Sequence, residues 1–213
     1  MKSPKKWHLE TMGQKVAEKL IENNFKAEYI DSKEVALRKT FELIGNSKTI
    51  GIAGSMTIRD LGIPQKLKDD DKEILDATVP GYSPEENIKI RQRQFSCDCF
   101  LCSSNAITMD GKLVNTDSTG NRVGAMAFGP KKVVIVAGAN KIVKDVEAAI
   151  NRIELYVAPM NNKRMSRPNP CTKTGVCEDC STETRLCNIT TIIKKKPPRS
   201  NIHILIVGEE LGY

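Results

Sequence analysis

The sequence predicts an α/β fold: a mainly parallel sheet with helices on both faces, plus a small cysteine-rich insertion. Two observations carry this expectation. Helix-like and strand-like segments alternate over most of the chain, the pattern of successive βαβ units. Two strand candidates, 48–54 and 131–138, are apolar enough to be buried, and both end in glycine. A length of 213 residues suits one large α/β domain, and no internal repeat or flexible linker divides it. The expectation is therefore a single domain over 1–213, with 1–46 as its N-terminal helical and strand portion and 169–188 as the insertion.

Each element has its own warrant. Residues 5–24 place Leu9, Met12, Val16, Leu20 and Ile21 on one stripe, which predicts an amphipathic helix. FKAEYID follows as a short strand. In SKEVALRKTFELI, Ser32 is placed to cap a second helix, with Val35, Ala36, Phe41, Leu43 and Ile44 as apolar positions. KTIGIAG reads as a buried strand and AGSMT as its glycine turn. MTIRDLG is a short helical stretch, and KEILDA is the next strand. SPEENIKIRQRQFS has a strong helix start: Ser83 caps, Pro84 holds the first position, and Glu85 and Glu86 lie in the first turn. CDCFLCSS is a strand, and NAITMDGKLVNTD is a hairpin about Asp110 and Gly111. GNRVGAMAFG is a short glycine-bounded helix, and KKVVIVAG a buried strand. VKDVEAAINRIELYV is a helix with Val143, Val146, Ile150, Ile153 and Val157 on one side. Beyond the cysteine segment, NITTIIKKK and NIHILIVGE are two strand candidates, joined by the loop KKPPRSN.

Composition narrows the function classes. Hydrophobic residues make up 39% and aromatics 5%, so the core is expected to be aliphatic. The net charge of +7 is spread over Lys5, Lys6, Lys131, Lys132 and the run 194–196, between acidic stretches such as 69–71. Nucleic-acid binding favours basic residues interleaved with aromatics on one face, and that pattern is missing. Apolar runs such as 133–137 and 202–207 fall far short of the roughly 20 residues of a membrane helix. The basic N-terminus has no apolar region after it, unlike a signal peptide. A cytoplasmic protein without nucleic-acid or membrane partners is expected.

Parallel sheets bind ligands at the carboxyl ends of their strands. Three places qualify. In GIAGSMT, Gly54 and Ser55 end a strand where backbone N–H groups could hold an anion; the alternative is a tight turn that merely needs glycine. In SSNAITMDGKLVN, Ser103, Ser104 and Asn105 offer hydroxyl and amide groups to a carboxylate or phosphate; the alternative is local side-chain-to-backbone bonding. In STGNRVG, Asn121 and Arg122 lie between Gly120 and Gly124, where a bidentate grip on an anion is feasible; the alternative is a surface salt bridge. The only histidines are His8 and His203, so a serine–histidine–acid triad is not expected. General acid–base work would fall to carboxylates such as Asp98, Asp110 or Asp117.

Seven cysteines is an odd number, and nothing indicates secretion, which disfavours a disulfide framework. Cys171, Cys177, Cys180 and Cys187 are spaced C-x5-C-x2-C-x6-C. One C-x2-C pair with two outliers is a moderate metal signal: a zinc site, an iron–sulfur cluster and metal-free thiols or an adventitious disulfide all stay open. Cys97 and Cys99 are expected on one face of a strand and Cys102 on the other, all three as core residues.

The ordered set GIAGSMTIRDLG, SSNAITMDGKLVNTDSTGNRVGAMAFGPKKVVIVAGANKIVKD, APMNNKR, PCTKTGVCEDCSTETRLCNI and VGEELGY resembles the LUD domain family, named for lactate utilisation. The match spans nearly the whole chain and looks like the short, stand-alone type. The resemblance implies a Rossmann-like sheet of the ribose-phosphate-isomerase and CoA-transferase-like superfamily, whose members bind small anions at strand ends. It also implies a role in oxidising lactate to pyruvate beside iron–sulfur subunits. No catalytic residue is carried over. Gly54, Ser55, Ser104, Asn105, Asn115, Asn121 and Arg122 are the candidate pocket residues. The ferredoxin-like C-x2-C-x2-C-x3-C run of larger relatives is missing, which weighs against electron carrying. Two functions are expected: a protein of organic-acid utilisation with a small-anion pocket, or an accessory subunit that docks an iron–sulfur partner through a metal-stapled cysteine loop. Candidate partners are a small anionic metabolite, iron–sulfur subunits and a second copy of the chain.

Overall fold

The computed structural model describes residues 3–69 and 71–213. The chain runs α1 (Pro4–Glu22), β1 (Lys26–Ile30), α2 (Lys33–Ile44), β2 (Thr49–Ile52), α3 (Met56–Asp60), α4 (Ile63–Lys66), β3 (Glu73–Asp76) and α5 (Pro84–Gln94). Then follow β4 (Cys99–Cys102), β5 (Ala106–Thr108), β6 (Leu113–Asp117), α6 (Asn121–Ala127), β7 (Val133–Gly138) and β8 (Ile142–Val143). The last elements are α7 (Val146–Arg152), α8 (Ala158–Arg164), α9 (Cys171–Thr174), β9 (Ile189–Ile193) and β10 (Ile202–Val207).

The main sheet has six strands in the order β1-β10-β7-β4-β2-β3, and every pair in it is parallel. All of β7 is buried, because helices cover both faces of its strand. Its residues alternate between two cores. Val133, Ile135 and Ala137 join Leu20, Phe100 and Ile204 on one face, while Val134 and Val136 join Ile44, Ile50 and Leu101 on the other. Helix starts follow local chemistry. The Ser32 hydroxyl accepts from Val35 N, and Ser83 with Glu86 makes a reciprocal capping box.

Four features differ from the sequence reading. The hairpin β5–β6 belongs to a second sheet, ordered β8-β5-β6-β9, in which β9 returns antiparallel to β6. The helix expected from Val143 starts at Val146 instead, because Asp145 caps Ala148 N at 2.9 Å and Val143 is drawn into β8. That helix also continues beyond Val157. Ala158 N–H bonds Ile153 O, five residues back, and the widened turn leads into α8, where Pro159 has no N–H to give. Its buried side carries Ala149, Ile153 and Val157, and Ile150 is exposed. Finally, Cys99 packs on one face while Cys97 and Cys102 share the other. Cys97 precedes β4 and so escapes the strand alternation. All three thiols are core residues, and burial pushes Cys97 up to about 11 and Cys99 and Cys102 up to about 12.

Candidate functional site

Strands β2, β4 and β7 are neighbours in the middle of the sheet, and their carboxyl ends bring three polar side chains together. Thr57 follows β2 on α3, Ser103 follows β4, and Lys141 follows β7. The Lys141 ammonium is 3% exposed and donates to Thr57 Oγ1 at 2.8 Å and Ser103 Oγ at 3.1 Å. Burial first, then the nearby Arg152 and Arg122 guanidinium groups, pushes its pKa down to about 7. Asp60 pulls the other way, with the smallest effect of the four.

Arg122 stands behind this lysine. One terminal nitrogen donates to Ser103 O at 3.2 Å and Asn115 Oδ1 at 2.6 Å; the other donates to Asn105 Oδ1 at 3.1 Å and Thr116 O at 2.8 Å. Its Nε faces Asp117 Oδ2 at 3.5 Å. A guanidinium has five N–H donors; four of them hydrogen-bond the protein, and Nε faces Asp117 as an ion pair. Arg122 therefore ties β6 to the end of β4 and adds positive field, and no pair of free donors is left for a bidentate grip. The two asparagines complete the knot: Asn105 N donates to Asn115 Oδ1 at 3.0 Å, and Thr116 N to Asn105 Oδ1 at 2.9 Å. Among the described residues, Asn115 Nδ2 is a buried donor without a partner.

Arg152 approaches from α7. It donates to Asn105 O at 2.9 Å and Asn140 O at 3.5 Å, and burial lowers its pKa. Arg152 and Asn140 also line an open groove of about 470 Å³, whose other walls are Val143, Ala148, Asn151, Leu155 and Tyr156. Residues 211–213 lie across the same corner. Thr57 Oγ1 donates to Leu211 O, Gly212 N donates to Asp60, and Leu211 N donates to Asn140 Oδ1. Gly212 has φ +58°, and a Cβ there would come within 2.6 Å of Thr57 Oγ1.

The other predicted positions are dispersed. Gly54 is exposed, and the Ser55 hydroxyl caps α3 by accepting from Ile58 N at 3.4 Å. Ser104 donates locally, to Ala106 O at 2.8 Å. Asn121 turns toward α5 and accepts from Arg91 at 3.0 Å and Thr119 at 2.8 Å. Of the candidate acids, Asp98 lies at the amino ends of the strands, Asp110 bonds Thr108 and Lys112 in the hairpin turn, and Asp117 pairs with Arg122. His203 sits on β10; burial, then Lys26 and Lys132, push it down to about 4.

Lys141, Thr57 and Arg152 were not anticipated. ANK after KKVVIVAG carries the same signal as those three places, small polar residues after a buried strand. Arg152 carried none, since it reads as one more helix cation.

Cys171, Cys177, Cys180 and Cys187 are free thiols that border one enclosed space of about 10 Å³, beside α8. Among the described residues no three metal-ligating side chains already stand in an ion-holding arrangement. No described helix is long and apolar enough to cross a membrane.

The chain resembles the crystal structure of a DUF162-family protein from Deinococcus radiodurans, with a TM-score of 0.53 and 13% identity over 92% of this chain and 96% of that one. A ribose 5-phosphate isomerase from Plasmodium falciparum aligns with a TM-score of 0.34 and 18% identity over 53% of this chain and 52% of its own. No curated protein matched the sequence. The LUD domain matches residues 13–207, and the chain belongs to the LUD domain family.

Proposed function

We propose that this protein binds a small organic-acid or phosphorylated anion at the corner formed by Lys141 and Arg152, and serves lactate or related organic-acid utilisation. One observation carries the reading. Two neighbouring, largely buried cations are answered by neutral groups: Lys141 by two hydroxyls, Arg152 by two backbone carbonyls. Burying charge without a directly bonded counter-charge is costly, and such sites cluster where function needs them. Lys141 has a third N–H beyond its two hydroxyl partners, and Asn115 Nδ2 lacks an acceptor. The adjoining groove offers Asn140, Asn151 and Arg152 to a charged end, and Val143, Leu155 and Tyr156 to an apolar body. The domain's family name supports the metabolic setting.

Isothermal titration with lactate, pyruvate, inorganic phosphate, sugar phosphates and CoA esters tests the site. At least one should bind, and folded Lys141→Met should weaken it by about tenfold or more, roughly the loss of one charge-assisted hydrogen bond. An anion favours the charged lysine, so affinity should fall as pH rises through about 7. No binding, or binding unchanged in both Lys141→Met and Arg152→Met, overturns the proposal.

A further inference from the structure

We propose that Cys171, Cys177, Cys180 and Cys187 form a four-thiolate site for a single zinc-type cation that staples residues 169–188 onto α8. This site is independent of the anion corner. The segment is short of apolar packing: its larger apolar residues are Pro170, Val176 and Leu186, and Val176 is 41% exposed. Ordering a chain costs about 1–2 kcal/mol per residue, and small elements with little core are held by metals or cross-links.

A polar frame already gathers the four residues. Asn169 donates to Asn162 Oδ1 on α8 at 2.6 Å and to Thr184 O at 3.0 Å, and accepts from Thr182 and Thr184 hydroxyls at 2.6 Å each. Asn162 and Asn169 are each 1% exposed, so the frame is internal. Cys177 N donates to Glu154 O at 3.0 Å, which fixes the far side of the loop. Arg185 donates to the carbonyls of Cys187 and Cys180, placing one positive charge beside the thiols. Four thiolates on a divalent cation carry a net charge of −2, and that guanidinium, which also pairs with Asp179 at 2.8 Å, offsets little of it.

The four cysteines line one pocket beside α8. Their C-x5-C-x2-C-x6-C spacing suits a single ion held by four thiolates and matches no ferredoxin-type cluster run. Cys177 and Cys180 are only partly buried. Turning the two side chains inward about Cα–Cβ, at the cost of the 3.6 Å contact between Cys180 Sγ and Thr182 Oγ1, closes the tetrahedron that the present arrangement leaves open. Binding replaces four S–H bonds with four S–metal bonds and releases the protons to solvent.

The test uses the full chain purified without air or chelator. Elemental analysis should give about one zinc per chain. The metal-stripped protein titrated with Co²⁺ alone should show the thiolate charge-transfer and intense visible bands of a tetrahedral sulfur site. Cys180→Ser should lower Co²⁺ affinity at least tenfold with unchanged circular dichroism, while Cys97→Ala keeps it. Should the serine variant fail to fold, the cobalt spectrum of the unsubstituted chain decides. Metal-free protein without a cobalt spectrum overturns the proposal. So does iron with acid-labile sulfide, or a mass showing paired disulfides.

Discussion

The two edges of the main sheet handle charge in opposite ways. At the amino edge, Asp98 accepts from Lys131 Nζ at 2.8 Å, Lys48 N at 2.9 Å and Thr49 N at 3.0 Å. The Lys131 ammonium first, and then those backbone N–H groups, hold its carboxyl well below the usual carboxylate range. Charge meets counter-charge, and the cluster is self-sufficient. At the carboxyl edge, the hydrogen-bond partners of Lys141 and Arg152 among the described residues are hydroxyls and carbonyls, with Asp60 as a weak, unbonded counter-charge to Lys141. The first arrangement joins β2, β4 and β7 where they begin. The second leaves positive charge under-compensated where they end, on the side where α/β sheets bind ligands.

The largest break in this contrast should come from Arg122→Ala. It leaves the acceptors of Ser103, Asn105, Asn115 and Thr116 without this partly buried donor. Urea denaturation should show a loss of about 3 kcal/mol or more. Arg122→Lys should recover little of it, since an ammonium cannot reproduce the planar fork.

Lys141→Met should act in the opposite direction. Removing a buried, under-compensated amine should stabilise the fold by about 2 kcal/mol at pH 6 while weakening anion binding about tenfold or more. The lysine's folded pKa of about 7 lies below its unfolded value of about 10.4. Folding therefore expels a proton between those limits, and the unsubstituted protein gains stability as pH rises through them. The advantage of the methionine variant should shrink over the same window; an advantage constant with pH would contradict a charged lysine in the acid range.

The smallest effect belongs to Asp98→Asn. Its lowered carboxyl contributes stability above the ordinary carboxylate pKa and loses it as pH falls through the folded value. A loss under about 1 kcal/mol at pH 7 is expected, vanishing in strong acid, with anion affinity unchanged.

Much of the fold was legible because its signals are local. The caps at Ser32 and Ser83 act within three residues, and the apolar run of β7 announces burial on both faces. The second sheet was not legible. β9 is mostly exposed, and its pairing with β6 spans the whole cysteine segment. The site was half legible. Asn105, Asn115 and Arg122 do converge, but as a scaffold, while Asn121 and Ser104 are satisfied by nearby groups. The strand-end rule points to β7 as well, after which Lys141 stands.

By itself the sequence determined the alternation of elements, the parallel aliphatic core, the family and the gathering of small polar residues after buried strands. These follow from periodicity, capping and turn chemistry, which act over a few residues. Only the tertiary structure decided which polar groups are spent and which remain poised. A cation's partners come from elements far apart in the chain: Lys141 reaches Thr57 across 84 positions and Ser103 across 38. Burial, which shifts its proton affinity, is a property of the assembled sheet and not of the residues beside it.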